Sequence, residues 1–327
     1  MEYTNLGKTG LKVSKICLGC MSFGDPALRK WTINEEQSMP FFQKALESGI
    51  NFFDTANMYS RGASEVITGK ALKKFVKRDE IVLASKVFFP MRDEPNGRGL
   101  SRKSIMTEID NSLKRLGTDY LDLYQIHRWD YSTPIEETLE ALHDVVKSGK
   151  ARYIGASSMY AYQFSKSLYL ADLKGWARFV SMQNYYNLIY REEEREMLKL
   201  CAEEGIGVMP WSPLARGRLA RPWENEPSTQ RAKNDEYANR LYDATKEADK
   251  KVIDTVTKIS KERGVPQAQI SLAWLLSKAV VTSPIVGATK LNHIDDAIAA
   301  VSLKLTDEEI NLLEENYIPH NVTGLIV

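Results

Sequence analysis

The strongest constraint on this chain is an alternation that recurs eight times. Short β-rich runs are each followed by an amphipathic helical stretch. The runs are SKICLG (14–19), INFFDT (50–55), EIVLASK (80–86), YLDLYQIH (120–127), ARYIGAS (151–157), FVSMQN (179–184), IGVMPW (206–211) and TSPIVGA (282–288). They are apolar nearly throughout, as parallel strands buried on both faces require. Between them, Thr32 to Glu35, Thr133 to Glu136 and Thr306 to Glu309 have capping-box spacing, with Pro134 expected at a first helical position. Ile105, Ile109, Leu113 and Leu116 share one helical face. Gly49, Gly149 and Gly205 stand where helices end before the next strand.

Eight βα units predict an α/β fold, a (β/α)8 TIM barrel, over residues 1–327 as one domain. A doubly wound sheet is the alternative, and the even spacing with no switch in pattern favours closure. Residues 2–14 read as an N-terminal β-hairpin with a Lys-Thr-Gly turn. The polar connection from about 212 to 245, after the seventh strand, is long enough to be a binding loop or lid. A C-terminal helix and tail close the chain.

Composition narrows the function class. Lys+Arg is 44 against 43 Asp+Glu, a net charge of +1 that gives no electrostatic footprint for nucleic acid. The apolar stretches are too short to span a bilayer, and the N-terminus has no apolar leader, so no membrane association is expected. Three cysteines, Cys17, Cys20 and Cys201, suit a cytoplasmic location. Cys17 and Cys20 form a CxxC, which we read as buried small hydrophobes at the end of a strand.

Barrel enzymes place their chemistry at the C-terminal ends of strands. Successive runs end in Asp54, Lys86 and His127, with Tyr59 five residues beyond Asp54. A lysine closing an apolar run demands an anionic partner, which Asp54 can supply. An ammonium beside a phenol favours the ionised phenol, making Tyr59 a general acid and base. His127 can donate a hydrogen bond to the same substrate oxygen. Such a set suits carbonyl reduction, in which hydride reaches carbon and a proton reaches oxygen.

The segments LGCMSFG (18–24), GINFFDTANMYSRGASEVITGKAL (49–72), LASK (83–86), LGTDYLDLYQIH (116–127), IGASS (154–158), QNYYN (183–187), PWSPLARG (210–217) and PIVGATKLNHIDDAI (284–298) resemble the aldo-keto reductase family over essentially the whole chain. FFDTANMYS followed by G-x-SE is the most specific of them. WSPLARG is similar to the bacterial and potassium-channel β-subunit branch, and NYIPHNVTG to its bacterial and yeast aryl-alcohol dehydrogenase-like group.

The resemblance implies a catalytic tetrad of Asp54, Tyr59, Lys86 and His127, all intact. It implies a nicotinamide cofactor with Ser157 and Gln183 on the carboxamide and Trp211 stacked on the ring. Ser212, Pro213, Leu214 and Arg216 match the pyrophosphate loop, and Arg231 a basic closing residue. Gly287, Ala288, Thr289, Lys290, His293 and Asp296 match the adenosine end and its 2′-phosphate. The chain departs from many relatives in carrying Ser157-Ser158 for Ser-Asn, His293 for Arg or Gln, and Ala297 for Asn. With Lys290, Thr289 and Arg231 still at hand, NADPH is expected ahead of NADH.

Trp31, Phe88, Phe89 and Trp129 follow strand ends and can wall a pocket for a small carbonyl substrate, aromatic or medium-chain. Arg128 can attract an anionic group or pair with Asp130. The expected activity is NADPH-dependent reduction of aldehydes and ketones. The alternative is a weakly catalytic NADP(H)-binding sensor or subunit similar to the channel β proteins, against which His127 speaks. A lyase using Lys86 as a Schiff base would leave Trp211 and Gln183 without a role. Monomer and homo-oligomer remain open.

Overall fold

The computed structural model describes residues 1–223, 241–242 and 245–325. Arg231 and part of the connection after the seventh barrel strand lie outside the described residues. An antiparallel hairpin, β1 (Tyr3–Asn5) and β2 (Lys12–Ser14), precedes the sheet. Eight strands then follow: β3 (Cys17–Gly19), β4 (Phe52–Asp54), β5 (Val82–Val87), β6 (Leu121–Ile126), β7 (Ala151–Ser157), β8 (Phe179–Gln183), β9 (Gly207–Val208) and β10 (Ile285–Gly287). They pair in parallel in the order β10-β3-β4-β5-β6-β7-β8-β9. The ring is drawn together where Thr282 N donates to Val208 O (2.9 Å) and Ile285 N to Pro210 O (2.9 Å). All eight runs read from the sequence become strands of this (β/α)8 barrel.

Among the described residues the α-helices are α1 (Glu35–Glu47), α2 (Ala63–Phe75), α3 (Arg102–Leu116), α4 (Ile135–Lys147), α5 (Ala161–Lys174), α6 (Met197–Glu204), α7 (Lys246–Arg263), α8 (Gln267–Ser277), α9 (Asn292–Ser302) and α10 (Asp307–Glu315). The face of α3 formed by Ile105, Ile109, Leu113 and Leu116 is buried, as its spacing requires. Thr306 and Glu309 form the reciprocal capping box of α10. The other two caps differ from expectation. Asn34 caps α1 by accepting from Gln37 N (3.0 Å), while the Thr32 hydroxyl turns back to Arg29 O (2.8 Å). An Asn directly before the first helical residue reaches the free amides better than a Thr two residues earlier. Pro134 is itself the cap of α4, which begins at Ile135, and Thr133 donates to Asp130 Oδ2 (2.9 Å).

Two apolar cores result among the described residues. The larger lies between sheet and helices. The smaller fills the barrel from below: Cys17, Phe52, Val82, Ala84, Leu123 and Met209 meet Leu6 and Val13 of the hairpin. The hairpin therefore plugs the lower end, and each fully buried Leu or Val there contributes about 1.5–3 kcal/mol. Cys17 faces this inner core and Cys20 the outer one. Both thiols are free, and burial pushes Cys20 up to about 12 and Cys17 well above its usual value. The CxxC is structural.

Candidate active site

The plugged lower end leaves the upper rim, at the strand C-termini, for polar side chains. Asp54 closes β4, Lys86 is the penultimate residue of β5, His127 follows β6, Ser157 closes β7 and Gln183 closes β8. Tyr59 opens a single 3-10 turn (Tyr59–Gly62) after β4. Within that turn Ser60 (φ 46°), Arg61 (φ 52°) and Gly62 (φ 94°) are left-handed in succession. For non-glycine residues such a conformation costs of order 1–3 kcal/mol and persists only where neighbours enforce it.

The tetrad is assembled. Lys86 is wholly buried, and its Nζ donates to Asp54 Oδ1, to Thr55 O at 2.7 Å and to Tyr59 Oη at 3.3 Å. Burial alone would pull the ammonium pKa down. The Asp54 carboxylate and the Tyr59 oxygen outweigh burial and leave it raised, so Lys86 is a cation at neutral pH. Asp54 Oδ2 in turn accepts from Gln125 Nε2 (2.9 Å) and Gln183 Nε2 (3.0 Å), and Gln183 Nε2 also reaches Gln125 Oε1 (3.1 Å). A buried carboxylate with both oxygens bonded is the arrangement such an ion pair needs.

The His127 ring stands edge-on to Tyr59 (5.7 Å between centroids, 81°) and to Phe89 (4.9 Å, 89°). Its Nδ1 is buried without a partner among the described residues. Burial, and then the Lys86 and Arg128 cations, hold the imidazole pKa well below its usual value. His127 is therefore neutral near pH 7, with one N–H to donate.

The neighbouring rim is built from β7, β8 and the segment after β9. Trp211 Nε1 donates to Ser158 Oγ (3.0 Å), and Ser158 (φ 49°) follows Ser157 with their hydroxyls 3.3 Å apart. One face of Trp211 stacks on Tyr185 (4.4 Å, 15°), which stacks on Tyr190 (4.1 Å, 19°). Residues 212–217 coil tightly, with left-handed Ser212, Ala215, Arg216 and Gly217 around Pro213 and Leu214. Gly287, which closes β10, is exposed, as are Thr289 and Lys290 beyond it, and Ala288 is buried. His293 Nδ1 meets Thr289 N at 3.4 Å. Asp296 accepts from Gln269 (2.9 Å) across the α8–α9 contact.

Among the pocket candidates, Arg128 is buried, bonded to His127 O (2.7 Å) and set near Phe89 (5.7 Å) and Trp211 (5.8 Å). Asp130 is occupied by Leu100 N, Ser132 and Thr133. Phe89, not Phe88, meets the His127 ring, while Phe88 packs on the outer core beside Phe89 (5.3 Å). Trp129 is partly buried against the same core, and Trp31 lies near Arg29 (5.9 Å). Gln125 and Tyr185 were not singled out from the sequence. Gln125 is the one amide inside the apolar run of β6, and Tyr185 sits two residues past Gln183 in QNYYN.

A parallel barrel with an acid–base set on its upper rim defines a TIM-barrel enzyme. The aldo/keto reductase family matches residues 15–318. The chain is 48% identical to a versiconal hemiacetal acetate reductase of Aspergillus parasiticus, covering 98% of both chains. It is 42% identical to an aldo-keto reductase of Fusarium vanettenii, covering 99% of this chain and 93% of the relative. A Saccharomyces cerevisiae protein with a provisional aryl-alcohol dehydrogenase name is 43% identical over 98% of both. The chain belongs to the aldo/keto reductase family, and it is an oxidoreductase that acts on small carbonyl substrates. These relatives carry enzyme names and lend no support to the sensor or subunit alternative.

Proposed function

We infer that the protein is an NADPH-dependent reductase of aldehydes and ketones, with Tyr59 as proton donor. The observation that carries this reading is the buried Lys86 Nζ, 3.3 Å from Tyr59 Oη and bonded to Asp54, with a neutral His127 against the same phenol ring.

The residues fit a nicotinamide dinucleotide. Asn184 Oδ1, just past β8, is a buried acceptor without a partner among the described residues. Trp211 has one face covered by Tyr185, suiting its other face to a planar ring. In the 212–217 turn the Ala215 and Gly217 amides are bonded internally, to Ser212 O (2.9 Å) and Leu214 O (2.8 Å), so the positive charge of Arg216 is what suits this turn to a pyrophosphate. Ser157 and Gln183 would hold the carboxamide, Trp211 the ring, and Ser212, Pro213, Leu214 and Arg216 the pyrophosphate. Gly287 to Lys290, His293 and Asp296 would take the adenosine end. The exposed Lys290 beside His293 supports NADPH over NADH. The bound cofactor supplies a hydride to the carbonyl carbon.

The chain's own residues do the rest. The His127 N–H holds the carbonyl oxygen. Tyr59 Oη gives its proton to that oxygen as the alkoxide develops, and the C–O group leaves as an alcohol. The Lys86 ammonium stabilises the phenolate left behind. Asp54 keeps Lys86 charged and in place, and Gln125 and Gln183 hold Asp54. Phe89, Trp129 and Arg128 would border the substrate, with a cytoplasmic location as part of the same reading. The test is product formation from 4-nitrobenzaldehyde, methylglyoxal, an aliphatic aldehyde and pyridoxal, with NADPH and NADH supplied separately. Alcohol formed faster with NADPH is expected. Tight NADPH binding with no product from any of the four would reject the reading.

A further inference from the structure

The left-handed turn that carries Tyr59 is held by a buried polar network that the reaction itself does not use. Glu65, on the first turn of α2, is fully buried. One of its oxygens accepts from Ser85 Oγ, the residue before Lys86 on β5, and the other from Arg115 Nε of α3 at 2.5 Å. The Arg115 side chain lies directly on Gly62: a Cβ there would stand 2.7 Å from Arg115 Cδ. Arg115 also faces Glu108 at 3.7 Å. Glu108 accepts from Asn57 Nδ2 at 3.0 Å, and Asn57 N donates to Lys86 O at 3.3 Å. The segment between Asp54 and α2 is therefore gripped at both ends, at Asn57 and at Gly62, with Tyr59 between. The Ser-Glu of the G-x-SE signature supplies two of these ties, since Ser64 Oγ also donates to Cys20 O (2.7 Å) and lies 2.9 Å from Thr55 Oγ1.

We propose that Glu65 and Arg115 are positioning residues for carbonyl reduction: their ion pair, buried at Glu65 and partly exposed at Arg115, clamps the Ser60–Gly62 turn and so fixes the reach of Tyr59 to Lys86 and substrate. This rests on the acid–base role assigned to Tyr59. The clamp reaches the acid–base pair by two routes, the turn that carries Tyr59 and the backbone of β5 at Ser85 and Lys86 O, so it sets the Tyr59–Lys86 geometry. Loosening it costs turnover and leaves binding alone. A displacement of the proton donor by about 1 Å is enough for a loss on the order of 100-fold.

The experiment compares Arg115→Met, Arg115→Lys and Asn57→Ala with the wild-type protein, reading kcat, KM, the Kd for NADPH and amide hydrogen exchange. Arg115→Met is expected to lower kcat at least about tenfold while KM and Kd stay within about twofold. Arg115→Lys, which restores the charge opposite Glu65, should recover part of that loss. Amide exchange should accelerate across residues 55–62 and stay unchanged in the other strand ends. A folded Arg115→Met protein with wild-type kcat overturns the proposal. So does a parallel loss in kcat, KM, Kd and melting temperature, which marks a purely structural role. If Arg115→Met does not fold, Asn57→Ala decides, since it cuts the other tie, and wild-type kcat with unchanged exchange overturns the clamp. A wild-type protein that reduces no carbonyl strikes the assigned reaction instead, and the exchange data then test the clamp alone.

Discussion

Lys86 Nζ lies 3.3 Å from Tyr59 Oη at the bottom of a rim where Lys86 itself has no exposure to solvent. A permanent cation is thus placed against the one phenol that the left-handed turn after β4 presents to it. The cost of burying that cation is offset by the Asp54 carboxylate, by Thr55 O and by the two glutamines behind Asp54.

Removing the phenol oxygen separates chemistry from binding. Tyr59→Phe is expected to lower kcat for carbonyl reduction by about 100- to 10,000-fold, the range for loss of a general acid. NADPH should still quench tryptophan fluorescence in that variant with near wild-type affinity.

Removing the cation leaves Asp54 buried without its partner. Lys86→Met is expected to destabilise the fold by about 3–5 kcal/mol, read from urea unfolding. Adding Asp54→Asn to it should recover part of that stability and none of the activity. A single variant as stable as the wild-type protein would contradict the account of the pair.

The buried His127 and the half-buried His320 respond to pH with opposite sign. His127 has its folded pKa depressed, first by burial and then by Lys86 and Arg128. Its unfolded form takes up a proton first, so stability falls as pH drops below about 6.5, by up to about 1.4 kcal/mol per pH unit. His320, bonded to Asp249 at 3.0 Å, has its folded pKa raised, because Asp249 and Ile318 O outweigh burial. Its contribution is present at acid pH and fades as pH rises through the raised value. Melting curves from pH 5 to 8 should show His127→Gln flattening the acid-side loss and His320→Gln steepening it.

The hairpin plug predicts a local weakness far from the chemistry. Leu6→Ala opens a cavity in the inner core and should cost about 2–5 kcal/mol in unfolding experiments. kcat should be unaffected at temperatures where the variant stays folded.

Much of this was legible in the sequence, for a physical reason. Parallel strands buried on both faces leave continuous apolar runs, so their ends, and with them Asp54, Lys86 and His127, stand out by polarity. What was not legible depends on contacts across the chain. Gln125 looks like an interruption of β6 until Asp54 is seen opposite it. Glu65 and Arg115 are 50 residues apart and meet only when α2 packs on α3. Phe88 and Phe89 are interchangeable in a sequence, and only the turn of the chain after β5 decides which ring reaches His127. The cap of α1 fell on Asn34 because proximity to the first free amides outranks capping-box spacing.

The most direct test of the central claim is NADPH consumption with 4-nitrobenzaldehyde by the wild-type protein and Tyr59→Phe, measured side by side at matched cofactor saturation. The account predicts turnover in the wild-type protein and a loss of at least about 100-fold in the variant. Equal turnover by both would contradict the role given to Tyr59, and with it the purpose assigned to the buried Lys86.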